Sequence, residues 1–248
     1  DDITERKNAE RKNAERKKQL EKLNITKDKF FSIIAHDLKN PMANLVSFVD
    51  LLLEDYDCFD DVERKNIIEV LYTDASRTLS LLENLLGWSL AQSGGLQADP
   101  EKLDISEIVT ENIKLFFVSA GKKNIKVVNN IPNLQEVFAD RKMVDAVIRN
   151  LLSNAIKFTE NGTISFSSVV KGEKLQISVV DTGRGMKKKV VDNLFKIEES
   201  NSQDGTYGEK GTGIGLHLVK EFLKLNSGEI SVESTPEKGS TFTVSLPL

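Results

Sequence analysis

The chain has 248 residues, of which 39% are hydrophobic and 29% charged, and its formal net charge is -4. This length allows one large domain or two small ones, and the composition is ordinary for a globular protein. The acidic balance argues against nucleic-acid binding, which usually requires a basic surplus, and the single cysteine, Cys58, excludes an internal disulfide framework.

The first part of the chain is highly charged and predicts a solvated helix. Residues 5–24 repeat ERKNA twice and contain no glycine or proline. A five-residue period does not keep an apolar stripe in phase, so the repeat makes a poor coiled coil. An ordinary charged helix is the simpler interpretation, and a rod that transmits a signal from an upstream domain is the alternative. Because the sequence lacks an initial methionine and a membrane-spanning run, we expect the cytoplasmic part of a longer protein.

Two long amphipathic helices are predicted next. The first has apolar residues at heptad spacing, at Ile34, Leu38, Pro41, Leu45, Phe48 and Leu52. The acidic stretch at 54–61 breaks the pattern, with Asp60 or Asp61 as the expected N-cap. The second helix ends at SGG (93–95) and carries an apolar stripe at Ile68, Leu71, Ala75, Leu79, Leu82, Leu86 and Leu90. One hairpin buries such faces poorly, so we expect a homodimer that forms a four-helix bundle.

His36 lies in the first of these helices, within FSIIAHDLKNPMANL (31–45). At about 100° per residue it lies about 180° from the centre of the heptad seam, so it is presented outward. Asp37 could accept a hydrogen bond from one ring nitrogen and leave the other as a nucleophile. An ordinary exposed histidine is the alternative, and from the residues alone it is the commoner case.

After residues 97–100 the pattern becomes mixed α and β. Helices are predicted at 103–117, 140–159 and 214–226, the first two with Asp104 and Asp140 as N-caps. Strands are predicted at 125–131, 163–170, 174–181, 229–234 and 240–248. The turns that join them contain Lys171-Gly172 and PEKG (236–239), and Ser227-Gly228 closes the last helix.

Glycine is concentrated in two clusters of this second half. Seven of the fifteen glycines lie between residues 183 and 215, and six of these seven belong to DTGRGM (181–186) and GEKGTGIGLHLV (208–219). A glycine-rich entry to a helix suits phosphate, because free amides and the helix dipole point at the ligand. A flexible loop is an equal alternative for either cluster alone, and neither fits the P-loop or the dinucleotide fingerprint.

The helix at 140–159 carries a polar face. Asn150, Asn154 and Lys157 fall within about 60° of one another, opposite an apolar face. That apolar face contains Val144, Ile148, Leu151, Leu152 and Ala155. An amide oxygen can bind Mg²⁺ and an ammonium group can bind a polyphosphate. A solvated polar face is the alternative, and the glycine clusters weigh against it.

These motifs together resemble the catalytic core of the sensor histidine kinases of two-component signalling. The residues FFSIIAHDLKNP (30–41) resemble the H box of that family, RNLLSNAIKFT (149–159) the N box and DTGRGM the first glycine box. NLF (193–195) resembles the F box and GTGIGL (211–216) the second glycine box. The five motifs occur in the order of the family, from about residue 28 to the end of the chain.

The resemblance implies an α+β fold in three parts. Residues 1–27 would be a signalling helix, and 28–96 a dimerisation and phosphotransfer hairpin in a four-helix bundle. Residues 97–248 would be an ATP-binding α/β sandwich of the Bergerat or GHKL type, with a mixed sheet and packed helices.

The resemblance also assigns roles in the nucleotide site. It implies that Asp181 binds the adenine amino group of ATP, with Gly183 and Gly185 shaping the pocket. It implies that Asn154 coordinates Mg²⁺, and that Asn150 and Lys157 lie near the phosphates. The remaining expected nucleotide contacts lie in an ATP lid at 187–212, in the second glycine box and in the last strand: Phe195, Gly211, Thr212, Gly213, Gly215, Leu216 and Thr241. For the second histidine, His217, packing or solvent exposure is expected rather than chemistry.

The implied reaction is ATP-dependent phosphorylation of His36, with Asp37 orienting the ring and taking its proton. The phosphoryl group would then pass to an aspartate in the receiver domain of a separate response regulator, and an absent upstream sensor domain would control the reaction. Asn40 matches a position that implies a secondary phosphatase activity. Asp37 and Asn40 replace the commoner Glu and Thr without removing a needed group.

Two other functions were weighed against this one. The first is a GHKL ATPase that drives a conformational clamp, which would need a catalytic glutamate in the helix that carries Asn154. The second is a nucleotide-binding dimeric scaffold without phosphotransfer.

Overall fold

The computed structural model describes residue 17 and residues 38–92, 95–195, 205–207 and 215–248. It divides into two compact units, Asp1–Leu82 and Glu83–Leu248. Among the described residues, no helix combines the length and the apolar character needed to cross a bilayer.

The first unit contains helix α1 (38–54), a 3₁₀ turn at Tyr56–Cys58 and most of helix α2 (Asp61–Gln92). α2 begins with a reciprocal capping box. Asp60 Oδ1 accepts from the amide of Glu63 at 2.8 Å, and Glu63 Oε2 accepts from the amide of Asp60 at 3.0 Å. Of the two predicted N-caps, Asp60 is therefore the residue that caps the helix.

The predicted heptad of α1 is visible in its burial. From residue 38 onward, the heptad positions are the half-buried ones: Leu38, Pro41, Leu45, Phe48 and Leu52. Ile34 lies outside the described residues. The two helices of the hairpin also share a hydrogen bond, from Asn44 Nδ2 to Asp74 Oδ2 at 3.5 Å.

The second unit is a mixed α+β structure. Its strands are β1 (Glu101–Asp104), β2 (Lys126–Asn129), β3 (Glu136–Ala139), β4 (Thr163–Lys171), β5 (Lys174–Asp181), β6 (Glu229–Thr235) and β7 (Gly239–Pro247). Its helices after α2 are α3 (Ile105–Lys122), α4 (Arg141–Phe158), α5 (Lys188–Asn193) and α6 (Gly215–Leu225). The main sheet has the order β2-β4-β5-β7-β6, with β2 parallel to β4 and the other neighbours antiparallel.

One face of this sheet forms the core. Every second residue of β5 is buried, at Leu175, Ile177, Val179 and Asp181. The helices α3, α4 and α6 pack together and contact the sheet. The last turns of α2 also belong to this unit, since a Cβ atom on Gly87 would lie 3.3 Å from both Leu218 and Phe222. Asp181 is thus a carboxyl group at the end of an otherwise apolar row.

The small sheet of β1 and β3 was not predicted. These four-residue strands pair antiparallel, with Leu103 opposite Val137, whereas residues 103–117 were predicted to be helical throughout. The helix prediction was wrong for Leu103 and Asp104, because four residues are too few to show a strand period. Asp104 nevertheless caps α3 as predicted, and its side chain accepts from the amide of Ser106 at 2.9 Å.

The end of α6 joins it to the start of α4. Ser227 takes the left-handed conformation after the helix, with φ +56°, and the amide of Gly228 returns to the carbonyl of Leu223 at 2.7 Å. Asn226 Oδ1 accepts from the amide of Asp140 at 2.7 Å. This bond fixes the residue that caps α4 and hence the position of the helix that carries the N box.

Candidate functional site

α4 presents the predicted polar face. Asp140 caps the helix by accepting from the amide of Met143 at 3.0 Å. The five apolar residues predicted for the opposite face are buried: Val144, Ile148, Leu151, Leu152 and Ala155. Asn150, Asn154 and Lys157 are half-buried. The pattern therefore fixes which side of α4 is available to a ligand.

Asp181 is the last residue of β5 and is only 4% exposed. Its Oδ1 atom accepts from the amides of Gly183 at 2.8 Å and of Ser240 at 3.3 Å. Burial raises the pKa of the Asp181 carboxyl group, and the hydrogen bonds from Gly183 and Ser240 oppose this rise. Both amide bonds reach Oδ1, so Oδ2 accepts neither of them. The side-chain hydroxyl of Ser240 also hydrogen-bonds to this carboxyl group.

Glycines let the segments around Asp181 approach one another closely. A Cβ atom on Gly183 would lie 2.3 Å from the carbonyl oxygen of Phe158, at the end of α4. A Cβ atom on Gly185, whose φ is +63°, would lie 1.9 Å from the carbonyl oxygen of Thr235. The first glycine cluster is thus packed against both α4 and β6.

The second glycine cluster reaches the N box at the start of α6. A Cβ atom on Gly215 would lie 2.4 Å from Asn150 Oδ1, and Asn150 Nδ2 donates to the carbonyl of Ala146 at 2.9 Å. Leu216 follows as a half-buried residue. Gly211, Thr212 and Gly213 lie outside the described residues.

The pairing of β5 with β7 places a hydroxyl group that was not predicted, that of Ser240, beside Asp181. β5 and β7 pair Asp181 with Ser240 and Val180 with Thr241. Residues directly opposite each other in an antiparallel pair share a face, so Ser240 lies on the face of Asp181 and Thr241 on the other. The predicted adenine contact of Thr241 stays a prediction, and Ser240 is the hydroxyl beside the carboxyl group. The alternation of the last strand, already visible in the sequence, is the signal that distinguishes them.

Two cations lie over one aromatic ring beside the first glycine cluster. Lys157 Nζ is 4.7 Å from the centroid of the Phe158 ring, and Arg184 Cζ is 4.6 Å from it. Arg184 was not predicted to contribute, although its place between two glycines of DTGRGM was the available signal. Positive charge at this point suits an anionic ligand.

Two family models match the chain. Residues 139–248 match the family described as "Histidine kinase-, DNA gyrase B-, and HSP90-like ATPase", and residues 26–94 match the "His Kinase A (phospho-acceptor) domain". Together they cover most of the chain in the order that the five motifs predicted. The chain belongs to the sensor histidine kinases. The predicted family and α+β fold class of this kinase are thereby confirmed.

Known proteins resemble this kinase over most of its length. The sensor-like histidine kinase SenX3 of Mycolicibacterium smegmatis is 29% identical over 91% of this chain and 59% of its own length. The chain spans 28%, 59% and 21% of three of the curated proteins that it matches. It therefore corresponds to one part of these relatives.

Three solved structures share the fold. AdeS of Acinetobacter baumannii has a TM-score of 0.67 at 22% identity, covering 86% of this chain and 97% of its own. Full-length ShkA in complex with AMPPNP has a TM-score of 0.62 at 19% identity, covering 87% of this chain and 45% of its own. ThkA in complex with the response regulator TrrA has a TM-score of 0.65 at 23% identity, covering 88% of this chain and 60% of its own.

Of the remaining predicted residues of the kinase, some lie within the described part of the chain and others lie outside it. His36 and Asp37 lie outside the described residues, and Asn40 is exposed on α1. Phe195 is half-buried, with its ring centroid 6.0 Å from Lys220 Nζ. The structure therefore describes the nucleotide side of the predicted chemistry in more detail than the phosphoacceptor side.

His217 lies in the interior of the second unit. It is 6% exposed, and its Nε2 atom has no hydrogen-bond partner within the described part of the chain. Burial lowers the pKa of its imidazole, and the positive charge of Lys220 lowers it further. Of the two outcomes expected for this histidine, packing applies.

Proposed function

We propose that this kinase transfers the γ-phosphoryl group of ATP to His36 and then to an aspartate of a response regulator. The observation that carries the proposal is that three of the predicted motifs meet within the second unit. The N-box helix contacts the second glycine box through Asn150 and Gly215, and the first glycine box through Phe158 and Gly183. A buried carboxyl group, Asp181, lies beside this junction.

The residues at this junction fit a nucleotide with a metal ion. Asp181 Oδ2 is proposed to accept from the adenine amino group, because the backbone amides occupy Oδ1. Asn150 and Lys157 would hold the phosphates, and the amide oxygen of Asn154 would hold Mg²⁺, since all three lie on the available side of α4. AMPPNP in ShkA, a protein of the same fold, supports a nucleotide as the ligand.

The proposed reaction breaks the bond between the γ-phosphorus and its bridging oxygen in ATP. A new bond forms between that phosphorus and a ring nitrogen of His36, and ADP leaves. Asp37 would orient the imidazole and receive the proton that it loses. The Mg²⁺ ion, when bound, would offset the charge of the phosphates. The protein otherwise contributes alignment, as in other phosphoryl transfers.

A response regulator is the proposed acceptor of the second transfer. The complex of ThkA with the response regulator TrrA supports such a partner for this fold. Asn40, which is exposed on α1 and follows His36 by four positions in the sequence, is proposed to position water for the dephosphorylation of the partner. A sensor domain elsewhere in the longer protein would supply the input.

The test is incubation of the chain with Mg²⁺ and γ-labelled ATP. We expect a protein-bound label that is acid-labile and base-stable, and we expect His36→Gln to remove it while AMPPNP binding stays unchanged. Label that survives His36→Gln would exclude this acceptor. Hydrolysis of ATP without any label would favour the clamp ATPase, and binding without either reaction would favour the scaffold.

A further inference from the structure

A buried lysine outside the five motifs lies at the end of α3. Lys123 follows the helix as its C-cap and is only 4% exposed. Lysine is rarely buried unless its charge is paired or fully hydrogen-bonded. Its ammonium group therefore needs polar partners in the interior.

Three oxygen acceptors surround its ammonium group. Lys123 Nζ donates to the carbonyl oxygens of Ile156 and Lys157, both at 3.1 Å, and to Thr206 Oγ1 at 2.8 Å. An ammonium group has three N–H donors, which is enough for these three acceptors. Two of the acceptors are carbonyls in the last turn of α4, where the helix dipole favours a positive charge.

The same bonds attach a second segment to α4. The amide of Thr206 donates to the carbonyl of Lys157 at 3.0 Å, and the ring centroid of Tyr207 lies 4.9 Å from Lys123 Nζ. Residues 205–207 are the part of the predicted ATP lid, beyond 195, that the structure describes. Lys123 therefore joins this segment to the helix that carries the N box.

The first glycine box is attached to the same turn of α4. The amide of Arg184 donates to the carbonyl of Phe158 at 3.1 Å. The carbonyls of three successive residues, Ile156, Lys157 and Phe158, thus bind Lys123, Thr206 and Arg184. The end of α4 is a junction at which the predicted lid segment and the adenine side of the site meet.

We propose that Lys123 is a positioning residue for the triphosphate part of the nucleotide. It holds the last turn of α4, and with it Lys157, in a fixed relation to Thr206 and Tyr207. The inference rests on the proposed function, because it assigns Lys157 and the lid segment to the phosphates. A buried lysine that only stabilises the fold is the alternative, and it would not distinguish one part of the nucleotide from another.

The test compares AMPPNP with adenosine, which carries the base but no phosphate, in titrations of the whole chain followed by NMR. We expect Lys123→Met to weaken the affinity for AMPPNP about tenfold, which is the effect of losing hydrogen bonds from a charged group. The affinity for adenosine should change by less than about twofold. Lys122→Met is the matched control, because Lys122 is the exposed neighbour of Lys123, and it should change neither. Equal losses for both ligands, or no loss for AMPPNP, would overturn the proposal.

A second measurement does not depend on nucleotide. In hydrogen exchange without ligand, we expect the amide of Thr206 to exchange at least about tenfold faster in Lys123→Met, since its segment loses an anchor. Unchanged exchange at Thr206 would contradict the proposed anchor. If the wild-type chain fails to bind AMPPNP, the proposed function fails, whereas the exchange result still decides on the anchor.

A third variant covers the case in which Lys123→Met does not fold. Thr206→Val removes one acceptor but leaves the two carbonyl bonds of Lys123 in place. We expect a selective loss of AMPPNP affinity in the same direction, smaller than that of Lys123→Met. AMPPNP binding that equals the wild type in Thr206→Val would overturn the role assigned to this segment.

Discussion

At the scale of single residues, Asp181 holds a carboxyl group where its charge is poorly solvated. Burial raises the pKa of its carboxyl group, and the amides of Gly183 and Ser240 together with the Ser240 hydroxyl only partly compensate. Because the folded pKa lies above the unfolded value, the contribution of Asp181 to stability is present in acid and is lost as the pH rises through the folded pKa. At neutral pH Asp181, the acceptor proposed for adenine, therefore lowers the stability of the ligand-free protein.

Substitution of Asp181 by Asn tests both the effect of this carboxyl group on stability and its proposed role in nucleotide binding. We expect ligand-free Asp181→Asn to unfold at a higher temperature than the wild type at pH 7.5, with the difference disappearing as the pH approaches about 4, the ordinary carboxyl range. We also expect AMPPNP affinity to fall at least about tenfold, because a charged hydrogen-bond acceptor is lost. Thermal unfolding across pH and calorimetric titration measure the two effects. A variant that is less stable than the wild type at every pH would contradict the argument.

The residues of the site were predictable to different degrees. Asp181, Asn150 and Gly215 could be proposed from the sequence because chemistry-bearing residues cluster in short segments. Ser240 was not found, since its face is fixed by pairing with Asp181 and the prediction did not use the register. Lys123 was not found because a lysine in a charged turn gives no sign of burial; only its distance to the end of α4 reveals it.

At the scale of elements, the β5 and β7 strands meet through a glycine that has no room for a side chain. Gly239 has φ +91°, and a Cβ atom on it would lie 1.9 Å from the carbonyl oxygen of Asp181. Ser234 reinforces this corner by donating to the carbonyl of Gly239 at 2.9 Å and accepting from the amide of Met186 at 2.8 Å. The corner thus sets where Asp181 lies relative to the first glycine box.

Gly239→Ala should be strongly destabilising. We expect a loss of about 3 kcal/mol in the free energy of unfolding, because the change combines left-handed backbone strain with a steric overlap. Gly121→Ala is the matched control: Gly121 lies within α3 with no atom near the added methyl group, so a gain of about 0.5–1 kcal/mol is expected. Urea unfolding measures both changes. A Gly239→Ala variant as stable as the wild type would show that the strands can separate at this corner without cost.

The longer elements were the predictable ones. The periodicity of α4 and the turn residues of the β4–β5 and β6–β7 hairpins gave boundaries within about two residues of those observed, as such signals usually allow. The β1–β3 pair escaped prediction because each strand has four residues and its partner lies more than thirty positions away along the chain. Pairing over such a distance is decided by the tertiary fold rather than by local pattern.

At the scale of the whole molecule, the first unit leaves apolar surface on α2 uncovered. Ile68, Leu79 and Leu82 are 56%, 59% and 43% exposed, whereas Thr78 and Leu81 are buried. These exposed residues belong to the apolar stripe from which a four-helix bundle was predicted. One side of α2 is therefore buried and the neighbouring stripe is exposed, which is the surface that the homodimer predicted from the sequence would cover.

Leu79→Glu should separate the proposed dimer. We expect the mass measured by sedimentation velocity to fall to that of one chain, since a charge would have to be buried in the bundle core. Asn66→Glu, roughly 140° around the helix from Leu79, adds the same charge on the far side of α2 and should leave the mass unchanged. A wild-type chain that sediments as a monomer at micromolar concentration would rule out the bundle.

The way in which Asp181 is held has a consequence for inhibition of this kinase. Two of its hydrogen-bond donors are the main-chain amides of Gly183 and Ser240, and the amide of Ser240 remains whatever side chain that position carries. A competitive drug that hydrogen-bonds to the carboxyl group would therefore keep its anchor when the side chain of Ser240 is changed. Resistance through loss of that anchor would require replacing Asp181 itself, and the resistant enzyme would lose the group proposed to recognise its own substrate.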